Sequence, residues 1–306
     1  MKDKIMFSVC VITYNQESYI SKTLDSILSQ NHDYSYEIVI GDDCSTDNTR
    51  KIISDYEKKY PEVIKPLYNS ENLGIIKNYF NVLLHCSGKY IMECAGDDFW
   101  LPEKVNTQIL YMEKHPEVGM CYGNARIMDS ESEVYTKDSI GNDRCNFNQL
   151  MLGNCVPALT VCFRNELLKN YIKDVSPIDR GWLMEDIPMW LWFAKNSYIS
   201  YIKKNFGVYR VFDNSASHST NMEKQKRFND SCLEVRRFFA MKYDCNDLLL
   251  QYENLDNFQT AIMSNDRENM LKYYDENYCY NLSKKLKLKI LIARNKILYK
   301  ILFGGK

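Results

Sequence analysis

Phe7-Ser-Val-Cys-Val-Ile-Thr-Tyr-Asn15 opens the chain with a continuous apolar run that stops abruptly on polar residues. A run of this length bounded by turn residues reads as a strand buried on both faces. A helical period follows through Ser18, Ile20, Leu24, Ile27 and Leu28 to about Gln30. Tyr36-Glu-Ile-Val-Ile-Gly41 repeats the strand and ends on Asp42-Asp43. Asp47-Asn-Thr49 then caps a helix that runs to Tyr60, where Pro61 stops it. Ile64–Tyr68 is a third strand, Gly74–Cys86 a third helix and Tyr90–Cys94 a fourth strand. Strands and helices in alternation predict an α/β fold with a doubly wound, mostly parallel sheet.

In such sheets ligands bind outside the carboxyl ends of the strands. Thr13-Tyr14-Asn15, Asp42-Asp43 and Asp97-Asp98 all occupy that edge. The last pair is the most informative. It follows Lys89-Tyr-Ile-Met-Glu-Cys-Ala-Gly96 and precedes Phe99-Trp100. At roughly 5 Å and an effective dielectric of about 20, two carboxylates repel by about 3 kcal/mol. A hard divalent cation, Mg2+ or Mn2+, removes that cost, and such ions reach proteins through one or two carboxylates plus substrate phosphates. The pair therefore points to a metal–diphosphate site; an exposed Asp-Asp turn is the plain alternative.

Composition sets the outer bounds. The 306 residues are 45% hydrophobic and 26% charged with net charge −1, an ordinary soluble profile with no nucleic-acid signal. The 11 cysteines show no metal-ligand spacing, and Cys10, Cys121 and Cys162 sit in apolar runs as buried reduced thiols would. Ile5–Ile12 is too short for a signal peptide and no window is long and pure enough to span a membrane, so the expected location is the cytoplasm.

Further along, a helix follows Pro102, Val118–Tyr122 reads as a strand, and Asp129 to Asn148 as a polar loop. Glu185-Asp186 and Pro188 precede an aromatic helix, which acidic residues and proline favour at its start. Ile199–Ile202 and Phe206–Val211 read as two strands, and the chain is helical from about Glu223.

These segments together resemble a family: the inverting family 2 nucleotide-sugar glycosyltransferases of bacterial polysaccharide assembly, with the GT-A fold. The matching pieces are Val9-Cys-Val-Ile-Thr-Tyr-Asn15, Glu37 to Thr49, Asn72-Leu-Gly74, Gly88-Lys-Tyr-Ile91, Gly96-Asp-Asp-Phe-Trp100, Glu185-Asp186 and Tyr209-Arg210. They run in order over about residues 7–215. The resemblance implies a GT-A domain over 1–215, with a nucleotide-binding half (1–100) and an acceptor half (101–215), followed by a helical region over 216–306. It also implies a nucleotide-diphosphate donor, such as a UDP-hexose or UDP-N-acetylhexosamine, and a glycan or lipid-linked acceptor.

By the same resemblance Thr13, Tyr14 and Asn15 would line the base and ribose pocket, and Asp43 would accept a hydrogen bond from the base. The alternative for that segment is a capping turn built by Asp42 and Ser45. Glu17 would reach the nucleotide or serve as a first-turn helix acid. Asp98 would hold Mg2+ or Mn2+, and Asp97 would contact ribose or donor sugar. Asp186 would be the base that takes the acceptor proton, with Glu185 orienting it. Trp182, Trp190 and Trp192 surround the pair, and Trp182 and Trp100 would offer faces to the acceptor, or pack in the core.

Three departures stand out. Gly96 takes the first place of the usual Asp-x-Asp pattern. An Arg-Asn pair common after Asn-x-Gly is replaced by Tyr79-Phe80, leaving Lys77 to meet the diphosphate or to stand in solvent. Tyr209-Arg210-Val211-Phe212 lacks the family's histidine, for which His218 is a candidate substitute.

From Ser283 onward the chain carries eight lysines and arginines, Lys284 to Lys306, and no acid. Leu282, Leu286, Ile290, Ala293, Ile297 and Ile301 follow helical spacing. Residues 282–306 thus read as a basic amphipathic helix on the inner face of the cell membrane, or as a helix packed on protein or used in an oligomer. Two rivals to the transferase remain: a sugar nucleotidyltransferase, which would want a glycine-rich loop after the first strand, and a non-catalytic scaffold of the same fold at the membrane.

Overall fold

The computed structural model describes residues 4–212, 221–277 and 284–303. Its first half alternates as expected: β1 (Phe7–Thr13), α1 (Ile20–Leu28), β2 (Tyr36–Asp42), α2 (Thr49–Lys59), β3 (Ile64–Tyr68), α3 (Ile75–His85) and β4 (Tyr90–Glu93). Then come β5 (Phe99–Trp100), α4 (Lys104–Lys114), β6 (Val118–Asp129), β7 (Tyr135–Ile140), α5 (Phe147–Leu152), β8 (Cys162–Arg164), α6 (Asn165–Val175), α7 (Asp186–Asn196) and β9 (Tyr198–Val211). Five helices complete the described chain: α8 (Met222–Tyr243), α9 (Asn246–Met263), α10 (Arg267–Asn277), α11 (Lys284–Arg294) and α12 (Lys296–Phe303).

The strands join one sheet in the order β3-β2-β1-β4-β8-β6-β9-β5, with β7 added to β6. β3, β2, β1 and β4 are mutually parallel. β8 runs antiparallel between β4 and β6, and β6 and β9 are parallel. The core explains the continuous apolar runs. Val9 and Val11 of β1 and Ile38 and Ile40 of β2 pack with Ile20, Leu24 and Ile27 of α1 and with Val105, Ile109 and Met112 of α4. Truncating one such side chain, Leu24→Ala for example, costs about 2–5 kcal/mol.

Two local readings are corrected. Residues 129–148 are not one loop: Tyr135–Ile140 forms β7 and α5 begins at Phe147. The two strands read at 199–202 and 206–211 are one strand, β9. Its ladder with β6 slips between Tyr122↔Tyr201 and Asn124↔Asn205, and polar Lys203-Lys204-Asn205 fills the bulge that made it look like a break. β8 has three residues, too few to show any period.

The chain divides into two compact units, Met1–Leu150 with Asn154–Val235, and Met151–Gly153 with Arg236–Lys306. In the second, Phe258, Ala261, Met270, Ile290, Ala293 and Tyr299 form a small core of their own, with Leu286 packed against it. Ile290 and Ala293, whose spacing left lipid or protein contact open, are therefore inside protein; Leu282 lies outside the described residues. The leucines that α11 and α12 leave on the surface are Leu288, Leu291, Leu298 and Leu302, each 41–65% exposed. Among the described residues no helix is long and apolar enough to cross a membrane.

Candidate active site

The parallel strands bring three loops to one edge. Asp43 donates its N–H to the carbonyl of Thr13 (2.9 Å), and Gly96 donates to the carbonyl of Ile12 (2.9 Å), so the ends of β1, β2 and β4 are laced together. Asn15 takes a left-handed backbone (φ 52°), a conformation asparagine tolerates better than most residues. Its N–H donates to Ser45 Oγ (2.9 Å), and its Oδ1 accepts from the Thr46 N–H (2.8 Å). Thr13 is buried and donates to Gln16 Oε1 (2.7 Å), while Tyr14 stays 46% exposed at the rim.

Asp43 is buried and cradled. Oδ1 accepts from Asn69 Nδ2 (3.0 Å) and the Leu73 N–H (2.8 Å), and Oδ2 accepts from the Gly74 N–H (2.9 Å). Gly74 is at φ +80°, where a side chain would be strained. Asp43 thus fastens the Asn72-Leu73-Gly74 turn to β2, and a carboxylate's four lone-pair sites leave room for one more donor. Asp42 accepts from the Ser45 N–H (3.3 Å) and pairs with Arg50 Nε, so the capping turn offered as the alternative for this segment is present beside the cradle. Glu17 is committed to protein: its Oε2 accepts from the N–H (2.9 Å) and Nδ2 (2.7 Å) of Asn48 at the start of α2.

The Asp97-Asp98 turn is held from three sides. Thr23 Oγ1 of α1 donates to the carbonyls of Gly96 (2.9 Å) and Asp98 (2.6 Å). β5 pairs with β9 through Phe99↔Val208 and Trp100↔Gly207. That register delivers Arg210, whose N–H donates to Asp98 Oδ1 (2.8 Å) and whose Nη1 donates to the Asp97 carbonyl (2.5 Å). Burial, and then the neighbouring Asp97 charge, push the Asp98 carboxyl well above the usual range; burial raises Asp97 as well, with Arg210 opposing both. Arg210 is itself 2% exposed, and its Nε has no hydrogen-bond partner among the described residues.

The acids present fit a hard cation. Asp97 and Asp98 offer only oxygen, and burial penalises the charge of both, which Arg210 only partly offsets. Among the described residues no group of three or more histidine, cysteine or acidic side chains could enclose an ion. An ion here would be completed by ligand oxygens, as Mg2+ usually is. Gly96 cannot supply another carboxylate: a Cβ there would lie 2.4 Å from Gln16 Oε1 and 2.8 Å from Thr13 Oγ1. Lys77 stands on the exposed side of α3, so the cation beside the aspartates is Arg210. His218 lies outside the described residues.

The second acidic pair begins α7. Asp186 Oδ1 accepts from the Ile187 N–H (2.7 Å), and Oδ2 accepts from Asn154 Nδ2 (2.9 Å). Burial, then the charge of Asp186, push Glu185 up to about 7. Asn154, in turn fixed by the Val156 N–H on its Oδ1 (3.0 Å), was not read from sequence; a lone amide 32 residues from its partner leaves no local signal.

Trp100, Trp182 and Trp192 are buried. Trp100 is 3% exposed, its indole N–H donates to the Glu93 carbonyl (3.1 Å), and Lys104 Nζ sits 4.5 Å from its ring. Trp182 is buried, with Arg180 5.8 Å from its ring, and Trp192 donates to Asp174 (2.7 Å). Neither Trp100 nor Trp182 presents an open face to an acceptor.

Glu93, also unread in the sequence, ends β4. It is 6% exposed, its Oε1 accepts from the Tyr79 hydroxyl, and burial pushes its carboxyl up to about 8, with Glu185 and Asp186 adding to the rise. Cys94 next to it instead feels Asp98, Lys104, Asp97 and Arg210. The end of β4 therefore stands within electrostatic reach of both acidic pairs. Two surface concavities, of about 550 and 450 Å3, are lined around Asn146–Gln149 with Lys195–Ile199, and around Pro102–Leu110 with Lys204; neither contains these acids.

Known proteins fit this picture. The fold is similar to that of TarS from S. aureus, solved in complex with UDP: TM-score 0.62 at 18% identity, over 96% of this chain and 82% of that one. The chain is 30% identical over 223 residues to an uncharacterized protein of Mycobacterium tuberculosis, covering 72% of this chain and spanning 62% of that protein. It is 27% identical to the putative teichuronic acid biosynthesis glycosyltransferase TuaG of Bacillus subtilis, over 78% of this chain and 92% of TuaG. It is 27% identical to WfgD of Escherichia coli, a UDP-Glc:alpha-D-GlcNAc-diphosphoundecaprenol beta-1,3-glucosyltransferase, over 74% of this chain and 85% of WfgD. The family profile described as glycosyl transferase family 2 matches residues 8–171. The GT-A architecture implied by the family resemblance is present, and the chain belongs to glycosyl transferase family 2.

Proposed function

We propose that this protein transfers a sugar from a nucleotide diphosphate, a UDP-hexose or UDP-N-acetylhexosamine, to a glycan or lipid-linked glycan in surface polysaccharide synthesis, with inversion at the anomeric carbon. The observation that carries this reading is the buried Asp97-Asp98 turn, set against Arg210 at the sheet edge where the β1 and β2 loops also end. Thr13, Tyr14, Asn15 and Asp43 are the nucleotide-facing candidates, with Asp97 toward the ribose or sugar. Lys77 and Arg210 are the cations nearest in role to the diphosphate. TarS and WfgD, whose names carry UDP or a UDP-sugar, support the choice of nucleotide.

Mg2+ or Mn2+ at Asp98, completed by diphosphate oxygens, would supply the positive charge that stabilises the leaving group. Asp186 takes the proton from the acceptor hydroxyl as its oxygen attacks the anomeric carbon. The new C–O bond forms on the face opposite the diphosphate, whose C–O bond breaks with its electron pair leaving on phosphate oxygen. Asn154 and the Ile187 N–H fix the two oxygens of the base, and Glu185 stands beside it.

Residues 282–306 are proposed to rest on anionic lipid, which suits a lipid-linked acceptor. The supporting surface is Leu288, Leu291, Leu298 and Leu302 with exposed Lys287, Arg294, Lys296 and Lys300. The deciding experiment is a thermal-shift screen of UDP-, GDP- and dTDP-sugars with Mn2+, followed by product analysis on the best donor. Stabilisation by UDP-sugars and an inverted product support the reading. No nucleotide response, or a product of retained configuration, refutes it.

A further inference from the structure

Arg210 meets a further acid besides the Asp97-Asp98 pair. Its guanidinium lies between two rings, 5.0 Å from that of Tyr19 and 5.0 Å from that of Phe99. Nη1 is spent on the Asp97 carbonyl, and Nη2 stands 3.5 Å from Oε1 of Glu133. The same oxygen lies 3.9 Å from Nζ of Lys22 on α1. Lys22 in turn sits 4.4 Å over the ring of Phe99, the residue after Asp98. One carboxylate oxygen is shared by two cations, from α1 and β9, beside the Asp97-Asp98 turn. Local structure delivers it. Glu133 lies in the turn between β6 and β7 with a left-handed backbone (φ 53°), which glutamate adopts uncommonly. Asp129 Oδ1 accepts from the N–H (2.8 Å) and hydroxyl (2.6 Å) of Ser132, and Ser130 donates its N–H to the carbonyl of Val211 (3.1 Å), next to Arg210. The turn is fixed to β9, so only the Glu133 side chain need move.

The energetics make this contact replaceable. Both distances to Glu133 are longer than an ordinary N–H···O hydrogen bond. The Arg210 side chain is 1% exposed, whereas that of Glu133 is 60% and that of Lys22 46% exposed. An ion pair open to water adds little stability. A diphosphate brings more negative charge and more acceptor oxygens than one carboxylate, and guanidinium groups hold phosphate well. We propose that Lys22 and Arg210 form a subsite for the donor diphosphate, which the Glu133 carboxylate occupies until the diphosphate displaces it. Lys22 is then a donor-binding residue, and Glu133 a competitor built into the chain. This rests on the reading that places the donor diphosphate at Asp98 and Arg210.

The test is titration calorimetry on the full chain with Mg2+, using inorganic diphosphate, UDP and uridine as probes, for wild type, Lys22→Gln and Glu133→Gln. For inorganic diphosphate and UDP, Lys22→Gln should weaken binding by about twofold or more, and Glu133→Gln should tighten it by about twofold or more, the scale of one exposed ion pair. Uridine, which carries no phosphate, should bind all three proteins alike. Shifts of the same sign in the two variants overturn the proposal, because a merely structural ion pair is lost equally from either end. Changes below about twofold in either variant, equal shifts with uridine, or a wild type that binds neither diphosphate also overturn it. Should Glu133→Gln not fold, Glu133→Asn takes its place with the same expected tightening, since asparagine tolerates the left-handed backbone. If inorganic diphosphate shows the opposed shifts and UDP does not bind, the subsite is supported and the choice of UDP as donor nucleotide is refuted.

Discussion

Arg210 donates its main-chain N–H to Oδ1 of Asp98 at 2.8 Å, while its guanidinium bonds the carbonyl of Asp97 next door. One residue of β9, 112 positions away in sequence, thus both fixes a carboxylate and partly neutralises the pair. Its backbone contribution survives substitution by any residue but proline; its charge does not.

Arg210→Met should consequently lower stability by about 3–5 kcal/mol, the usual cost of leaving a buried charge unpaired. Mn2+ should recover part of that loss, since a cation at Asp98 compensates the same two acids. Melting curves with and without Mn2+ measure it, and equal Mn2+ effects in both proteins would refute it.

Asp186→Asn should abolish transfer while leaving UDP affinity within about twofold. Asn154→Ala should reduce kcat about 10- to 100-fold with little change in KM for donor, as expected from losing one hydrogen bond to a charged group. Steady-state kinetics on the donor found by screening decide both.

Stability should fall as pH rises through neutrality. Glu93 and Glu185 are raised to about 8 and about 7 from an ordinary value of 4.5, so the folded state binds protons that the unfolded state releases. Their contribution is complete below about 4.5 and is lost as pH climbs through 7 and then 8. Asp98, raised by burial, acts in the same direction. Melting temperature measured from pH 5 to 9 should decline, and decline less in Glu93→Gln.

Gly96→Asp, which restores the family's first acid, should weaken the protein instead of tightening metal binding. The Cβ would meet Gln16 Oε1 at 2.4 Å and Thr13 at 2.8 Å, breaking the Thr13–Gln16 hydrogen bond. A cost of about 1–3 kcal/mol is expected for such overpacking. Titration calorimetry with Mn2+ and UDP should show no gain in affinity.

Leu288→Ser with Leu291→Ser should abolish co-sedimentation with anionic liposomes without changing the melting temperature, because both side chains face outward. The matching change at Ile290, inside the small core, should unfold that unit instead.

Much of the fold was legible in the chain. Continuous apolar runs ending in acid marked the parallel strands, because a strand buried on both faces needs no alternation. The same pattern put Thr13, Asp43 and Asp98 on one edge. For Trp100 and Trp182 the sequence left acceptor contact and core packing open, because an aromatic near an acid looks the same whether its ring faces ligand or core; the structure buries both. The tail left lipid contact and packing on protein open for a related reason. Helical spacing shows that Leu286, Ile290 and Ala293 share a face, and it is silent on whether lipid or another helix covers them.

Local sequence alone determined the strand–helix alternation, the acidic strand ends and the family, since each depends on neighbours within a few residues. Only tertiary structure decided that Arg210 answers Asp98, that Asn154 holds Asp186 and that Glu93 lies buried against Tyr79. Those partners are 112, 32 and 14 residues apart, and such pairings come from strand register and helix docking, which no local pattern encodes.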